Sequence, residues 1–356
     1  MLGLKRVAIA ASAATFLLAA CNGGGSGPMA PDPDHDFAPP AELGFSKHPE
    51  PVWRGNLLAG DPAILRREDR LLLYYTDLLI AGDGDGDNPD NLQVFIGVAE
   101  SMNGVDWTFA NPDVEGSVAL LNAPDSWDRV LETAFVIKHE DAFLMYYTGY
   151  EEGVDGVETI VADGRIGVAR STDGVNFSRF VDPPGPVLAT DTEQDSDALF
   201  SPSAVFHAGM FYMVYTGWAL ERHGYGLFAA VSSDGRHWEK FDRLLIEEAD
   251  VPWSIDNPRE AELVAGPDGL FYLFFTSDEA AGTSAIGVAR ASDPMGPWEV
   301  HPERILFGTR PWEPSGVLAP AVLIEEDRVR IWYMAEIDDF SEFYIGYAEL
   351  DFPFAW

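Results

Sequence analysis

The sequence predicts an all-β fold: a five-bladed β-propeller of four-stranded antiparallel blades, the fifth closed by a strand from the N-terminal side. Three observations predict it. An aromatic phrase recurs five times, a second phrase follows each copy, and a turn phrase followed by a large aromatic closes four of them. Self-similarity at such a period marks a repeat architecture.

The aromatic phrase reads Leu71-Leu-Leu-Tyr-Tyr-Thr76, Phe143-Leu-Met-Tyr-Tyr-Thr148, Phe211-Tyr-Met-Val-Tyr-Thr216, Phe271-Tyr-Leu-Phe-Phe-Thr276 and Val329-Arg-Ile-Trp-Tyr-Met334. The second reads Ile96-Gly-Val-Ala-Glu-Ser101, Ile166-Gly-Val-Ala-Arg-Ser171, Leu227-Phe-Ala-Ala-Val-Ser232, Ile286-Gly-Val-Ala-Arg-Ala291 and Ile345-Gly-Tyr-Ala-Glu349. The turns are Asn103-Gly104, Asp173-Gly174, Asp234-Gly235 and Asp293-Pro-Met-Gly296, leading to Trp107, Phe177, Trp238 and Trp298. Tyr75, Tyr147, Tyr215, Phe275 and Tyr333 are 72, 68, 60 and 58 residues apart. That period is too long for a helical hairpin and suits four strands with generous loops. Short runs of β-branched and aromatic residues split by Asp-Gly or Asn-Gly turns are hairpin strands. Radial repetition leaves few exposed edges.

The fifth copy stops after its third strand. Pro51-Val-Trp-Arg-Gly-Asn-Leu-Leu58 carries the aromatic and apolar pattern that ends other copies, and is expected to complete blade five. The propeller domain is taken as residues 46–356.

The N-terminal segment differs. Lys5 and Arg6 precede an apolar run, Val7 to Ala20, of secretory length. Leu18-Ala19-Ala20-Cys21 looks like a bacterial lipobox, with Cys21, the only cysteine, as the lipidated residue. Residues 1–20 are read as a lipoprotein signal peptide and 21–45 as a flexible tether rich in Gly, Ser and Pro. A single cysteine forms no intramolecular disulfide. Asn22, where an aspartate would favour inner-membrane retention, makes the outer membrane the default address. The formal charge of −37 excludes nucleic acid and anionic lipid surfaces as partners. The expected partners are a carbohydrate substrate and, through the lipid alone, a membrane; a monomer is expected.

In a propeller the first strand of each blade lines the central channel. The inner-strand starts align as Asp61-Pro62, Glu132-Thr133, Ser201-Pro202, Glu260-Ala261 and Ala319-Pro320. Carboxylates at equivalent positions of a radial array converge on the axis. Crowding them separates their pKa values, so that one keeps a proton while another ionises. Such a pair suits cleavage of a glycosidic bond, one group protonating the leaving oxygen and the other activating water or attacking the sugar.

This order of phrases resembles the five-bladed propeller glycosidases of families 43, 32, 68, 117 and 130 over about residues 46 to 352. The resemblance implies a glycosidase. Asp61 matches the Asp-Pro aspartate of blade one, the general base in family 43 and the nucleophile in family 32. Glu260 matches the acid that opens the inner strand of blade four, with Gly269 and Phe271-Tyr272-Leu273 following at the family spacing; Glu262 is a rival. Where the families carry a blade-three aspartate, this chain has Ser201. Asp197 could reach in from the preceding loop, or Glu132 could supply the third carboxylate. That gap keeps a second reading open, a non-catalytic surface glycan-binding propeller.

Sugar faces stack on rings. Trp127, Trp253 and Trp312 lie a few residues before inner strands and are candidates to overlook the funnel. Trp107, Trp238 and Trp298 are expected to pack in outer strands. Arg129 and Arg259 neighbour Glu132 and Glu260, as substrate contacts or as salt-bridge partners. His207, His223 and His237 show no metal-ligand spacing. No organic cofactor is expected. The loop Asp83 to Asp90 alternates carboxylates like a calcium loop, but Val94 stands where an EF-hand needs glutamate. It reads as an exposed acidic loop, with bound Ca2+ as the alternative.

Overall fold

The computed structural model describes residues 44–80, 92–123, 126–151, 164–180, 185–192, 195, 197–219, 224–241, 243–337 and 342–356. The predicted signal peptide, Cys21, nearly all of the tether, His223 and the Asp83 to Asp90 loop lie outside them.

The chain forms five four-stranded antiparallel blades of a β-propeller. Inner strands are Gly60–Arg67, Val130–His139, Ala198–His207, Arg259–Ala265 and Leu318–Ile324. The aromatic phrases form second strands Arg70–Ile80, Ala142–Tyr150, Met210–Ala219, Phe271–Asp278 and Arg328–Ile337. Third strands are Leu92–Ser101, Arg165–Ser171, Gly224–Ser232, Ser284–Ala291 and Glu342–Asp351. Outer strands of two or three residues follow the turns, at Thr108–Phe109, Ser178–Arg179, Glu239–Phe241 and Glu299–Val300.

Strand periodicity makes this arrangement close-packed. Alternate residues of a strand face opposite sides. Leu71, Leu73 and Tyr75 therefore pack against Ala321 and Trp332 of blade five, while Leu72 and Tyr74 pack against Val136 and Met145 of blade two. The same division repeats around the ring, so the core is a set of inter-blade layers. The glycine of the second phrase lets the marker ring of the second strand lie flat across the third. A Cβ at Gly97 would come within 2.5 Å of the Tyr75 ring, and one at Gly346 within 2.3 Å of Tyr333. The Asx-Gly turns lock neighbours together: Tyr74 donates to the Gly174 carbonyl (2.7 Å), Tyr146 to Gly235 (3.0 Å) and the Trp332 indole to Gly104 (2.8 Å).

Closure occurs at blade five, with a different register from the one expected. The outer strand is Ser46–Lys47, paired with Glu349 and Ala348. The predicted segment touches the same strand further on, through a bridge between Trp53 and Ile345 and the Val52 N–H to the Ile345 carbonyl (2.8 Å). Pro49 and Pro51 interrupt the run, because proline cannot donate to a ladder. Phe45 is already buried in the core.

Candidate active site

Each inner strand carries a β-bulge at the same place, between Gly60 and Ala63, Glu132 and Phe135, Phe200 and Ser203, Arg259 and Glu262, and Leu318 and Ala321. The residue after each first position has left-handed backbone: Asp61, Thr133, Ser201, Glu260 and Ala319, with φ from 47° to 48°. Non-glycine residues pay about 1–3 kcal/mol for such geometry, so the surrounding structure must enforce it. The bulge register aligns Asp61 with Thr133, not with Glu132. The expected blade-two alignment is therefore one residue off, and Glu132 occupies the place of Gly60, Phe200, Arg259 and Leu318.

A collar of threonines holds these bulges. Each closes an aromatic phrase and accepts an N–H from the next blade: Thr76 from Thr133 (3.2 Å), Thr148 from Ser201 (3.2 Å), Thr216 from Glu260 (2.8 Å) and Thr276 from Ala319 (2.9 Å). Met334 stands at the fifth place.

Asp61, Thr133, Ser201, Glu260 and Ala319 line one narrow axial cavity of about 40 Å³, with Phe135, Ser203 and Glu262 one layer along. Asp61 and Glu260 are each 4% exposed and Glu132 is 0%. Burial pushes the Asp61 carboxyl well up, and repulsion from Glu132 and Glu260 pushes it further; the Thr76 hydroxyl opposes both. That hydroxyl donates to Asp61 Oδ2 (3.0 Å), while the buried Oδ1 has no partner among the described residues. Glu132 Oε1 accepts from the Tyr150 hydroxyl. Burial, Glu132 and Asp61 hold that phenol far above its ordinary value. The carboxylates of blades two and four thus both act on that of blade one.

Arg259 is fully buried beside Glu260. Its Nη2 donates to Asp278 Oδ1 (2.8 Å), its guanidinium lies 5.8 Å from the centre of the Tyr225 ring, and Asp278 and Glu260 outweigh burial to keep it protonated. Glu262 is a buried carboxyl raised well above the usual range by desolvation, against one opposing hydrogen bond from the Val322 N–H. Among the described residues no cluster of three or more His, Cys, Asp or Glu side chains is set to hold a metal.

Apart from Ser201, the remaining candidates stand outside this cavity. Ser201 lines the cavity; Asp197 is half-buried just before its inner strand, its N–H on the Trp218 carbonyl (3.1 Å). Arg129 is exposed. Trp127, Trp253 and Trp312 lie against the second strands of their own blades, stacked on Tyr147 (6.0 Å), Phe275 (6.4 Å) and Tyr333 (6.2 Å). They do not line the axial cavity. Trp107, Trp238 and Trp298 pack against the cores between blades.

Beside two of these tryptophans, and once more in blade three, a second kind of acid emerges. Asp128 accepts from Tyr147 (2.8 Å) and pairs with Arg179 (2.6 Å). Asp195 accepts from Tyr215 (3.0 Å) and pairs with Lys240 (2.7 Å). Glu313 accepts from Tyr333 (2.6 Å) and pairs with Lys47 (2.7 Å). Each clasp joins the loop before an inner strand, the second strand and the outer strand of one blade. Sequence reasoning passed over these acids, over the collar threonines and over Tyr150. The threonines were visible as the last letter of four aromatic phrases; the clasps had no local signal, since their cations come from 45 to 266 residues away.

Comparison with known proteins agrees with this fold. The chain is 34% identical over 117 residues to an uncharacterised protein of Mycobacterium tuberculosis (strain CDC 1551 / Oshkosh), covering 32% of this chain and 37% of the relative. It is 36% identical over 84 residues to a 1,2-beta-oligomannan phosphorylase of Thermoanaerobacter sp. (strain X514), covering 23% and 27%. The chain thus spans between about a quarter and little more than a third of the length of these curated relatives. The crystal structure of an endo-arabinase from Bacteroides thetaiotaomicron superposes with a TM-score of 0.59 at 17% identity, over 84% of this chain and 96% of that one, a likeness of fold. Residues 133–335, more than half of the chain and including Glu260, match the profile of glycosyl hydrolases family 43, and the chain belongs to that family.

Proposed function

We propose that this glycosidase cleaves its bond with Glu260 as general acid and Asp61 as general base, Glu132 being the third carboxylate in place of a blade-three aspartate. Glu260 gives its proton to the glycosidic oxygen as the bond to the anomeric carbon breaks. A water adds to that carbon and passes its proton to Asp61 Oδ1. Both carboxyls then exchange protons with solvent. The observation that carries this reading is that Asp61 and Glu260, from blades one and four, line one buried axial cavity, where Glu260 and the nearby Glu132 both oppose ionisation of Asp61. Groups that shift one another in a shared cavity are what acid and base catalysis requires. Ser201 leaves blade three without a carboxylate, and Glu132, oriented by Tyr150, restores the count.

The substrate in this reading is an oligo- or polysaccharide outside the cytoplasm, reached by a protein anchored through a lipid on Cys21. Membrane fractionation of a Cys21→Ser variant is the test of the anchor. For the chemistry, the purified chain is offered arabinan and 4-nitrophenyl α-L-arabinofuranoside, β-D-xyloside and β-D-mannoside, each with and without inorganic phosphate. Hydrolysis is expected without phosphate. Asp61→Asn and Glu260→Gln are expected to lose about 10²–10⁴-fold in kcat while remaining folded. Full turnover by both variants would remove the assignment. Turnover only with phosphate would instead align the chain with its oligomannan phosphorylase relative.

A further inference from the structure

We infer that Thr76 is a positioning residue for the base: its hydroxyl engages one oxygen of Asp61 and leaves the other for the attacking water. The inference rests on the reading of Asp61 as the base. It starts from a difference within the collar. All four threonine hydroxyls accept the bulge N–H of the next blade. Only Thr76, among the described residues, also reaches a carboxylate, Asp61 Oδ2 at 3.0 Å. Thr148 faces the Thr133 hydroxyl, and Thr216 and Thr276 show their N–H contacts alone.

A hydroxyl has one proton and two lone pairs. The Thr133 N–H occupies a lone pair of Thr76, so the proton of Thr76 is available to Asp61, which when ionised can only accept. The direction of the bond is therefore set by the blade-to-blade contact. The bulge fixes the backbone of Asp61 at φ 48°, with Pro62 behind it, and Thr76 fixes the carboxyl plane. Oδ1 remains buried with no protein partner among the described residues. A donor on Oδ2 favours the ionised form, the form a base needs, against burial and two neighbouring acids.

Two measurements test this. The first is the pH profile of kcat and KM on whichever 4-nitrophenyl glycoside the wild type hydrolyses, for Thr76→Val, Thr76→Ser and Thr276→Val. Thr276→Val removes the same kind of collar acceptor, from the Ala319 N–H, but touches no carboxylate. Thr76→Val is expected to lower kcat about tenfold, with KM little changed, and to move the acidic limb up by about one pH unit. Thr76→Ser should keep the wild-type profile, and so should Thr276→Val. An unmoved limb in Thr76→Val, or an equal shift in Thr276→Val, overturns the inference. The second needs no substrate: the full chain is labelled with [13Cγ]aspartate, and Asp61 is identified by the resonance lost in Asp61→Asn. Its titration should move up in Thr76→Val and not in Thr276→Val; an unchanged titration overturns the inference. An Asp61→Asn variant with full activity overturns the base reading instead, and the positioning role with it, whatever the titration shows.

Discussion

The axis and the middle of the blades both bury acids, and they treat them in opposite ways. Asp128, Asp195 and Glu313 are as buried as Asp61, yet each has a cation and a tyrosine hydroxyl within hydrogen-bond distance. At the axis Asp61 meets two further carboxylates and a single hydroxyl, and its ionisation is opposed on every side but that one. Burial therefore does not distinguish the site from the scaffold. The supply of countercharge does: a buried acid matched by a cation ties elements together, whereas Asp61 faces the repulsion of two acids without one, the arrangement the proposed acid and base require.

The largest expected effect on that contrast comes from removing a countercharge. Lys240→Met leaves Asp195 buried with Tyr215 and Thr192 as its remaining partners among the described residues. Losing one partner of a buried ion pair costs about 3–5 kcal/mol, read as a lowered urea midpoint. Asp61→Asn should do the reverse, removing mutual repulsion and leaving stability at neutral pH unchanged or raised. If Lys240→Met were harmless, or Asp61→Asn unfolded the protein, the contrast would be void.

Glu262 sharpens the comparison, because it is an axial acid with a backbone N–H as its stabilising contact and, among the described residues, no cation. Its folded pKa lies above the ordinary value near 4.5, so the folded state holds the proton more tightly than the unfolded chain. That contribution to stability is full below the ordinary value and is lost as pH rises through the folded one. Glu262→Gln should match wild type at acid pH and exceed it increasingly as pH rises above that value. Urea midpoints of both proteins across that window check it, and parallel curves would contradict it.

Much of this was legible in the sequence, for a physical reason. A propeller is assembled from repeated local patterns, so five aromatic phrases announce five second strands without any knowledge of long-range contacts. Asp61 and Glu260 were reachable in the same way. The slip at Glu132 arose because an acidic side chain at a strand start outweighed the count of residues. Asp61, Ser201 and Ala319 each precede their marker tyrosine by 14 residues, as does Thr133. Blade four alone is longer by one, in the turn at Gly266-Pro-Asp-Gly269. The tryptophans were not placed by the sequence, for another reason. A ring before an inner strand can face the funnel or lie back on its own blade, and the marker tyrosines that receive Trp127 and Trp312 decide it. In blade three the acidic loop contained the clasp acid, but at Asp195 rather than Asp197; only the distant Lys240 distinguishes the two.

The smallest effect compares two substitutions of identical chemistry. Tyr147 and Tyr75 occupy equivalent places on second strands, each crossing a third-strand glycine. Tyr147 donates to Asp128, whereas the buried Tyr75 hydroxyl lies against Trp53 and, among the described residues, no carboxylate receives it. Removing a made hydrogen bond to a charged acceptor costs about 1.5–3 kcal/mol, while removing a buried polar atom without a good partner is nearly neutral or favourable. Tyr147→Phe should thus lower the urea midpoint, by less than Lys240→Met because Arg179 still pairs with Asp128. Tyr75→Phe should leave it unchanged or raise it. Blade four already carries phenylalanine at this place, Phe275, under Trp253, and no clasp acid meets it among the described residues. Equal losses for the two variants would mean that the tyrosine hydroxyls, rather than the acids that receive them, set the energetics of the blades.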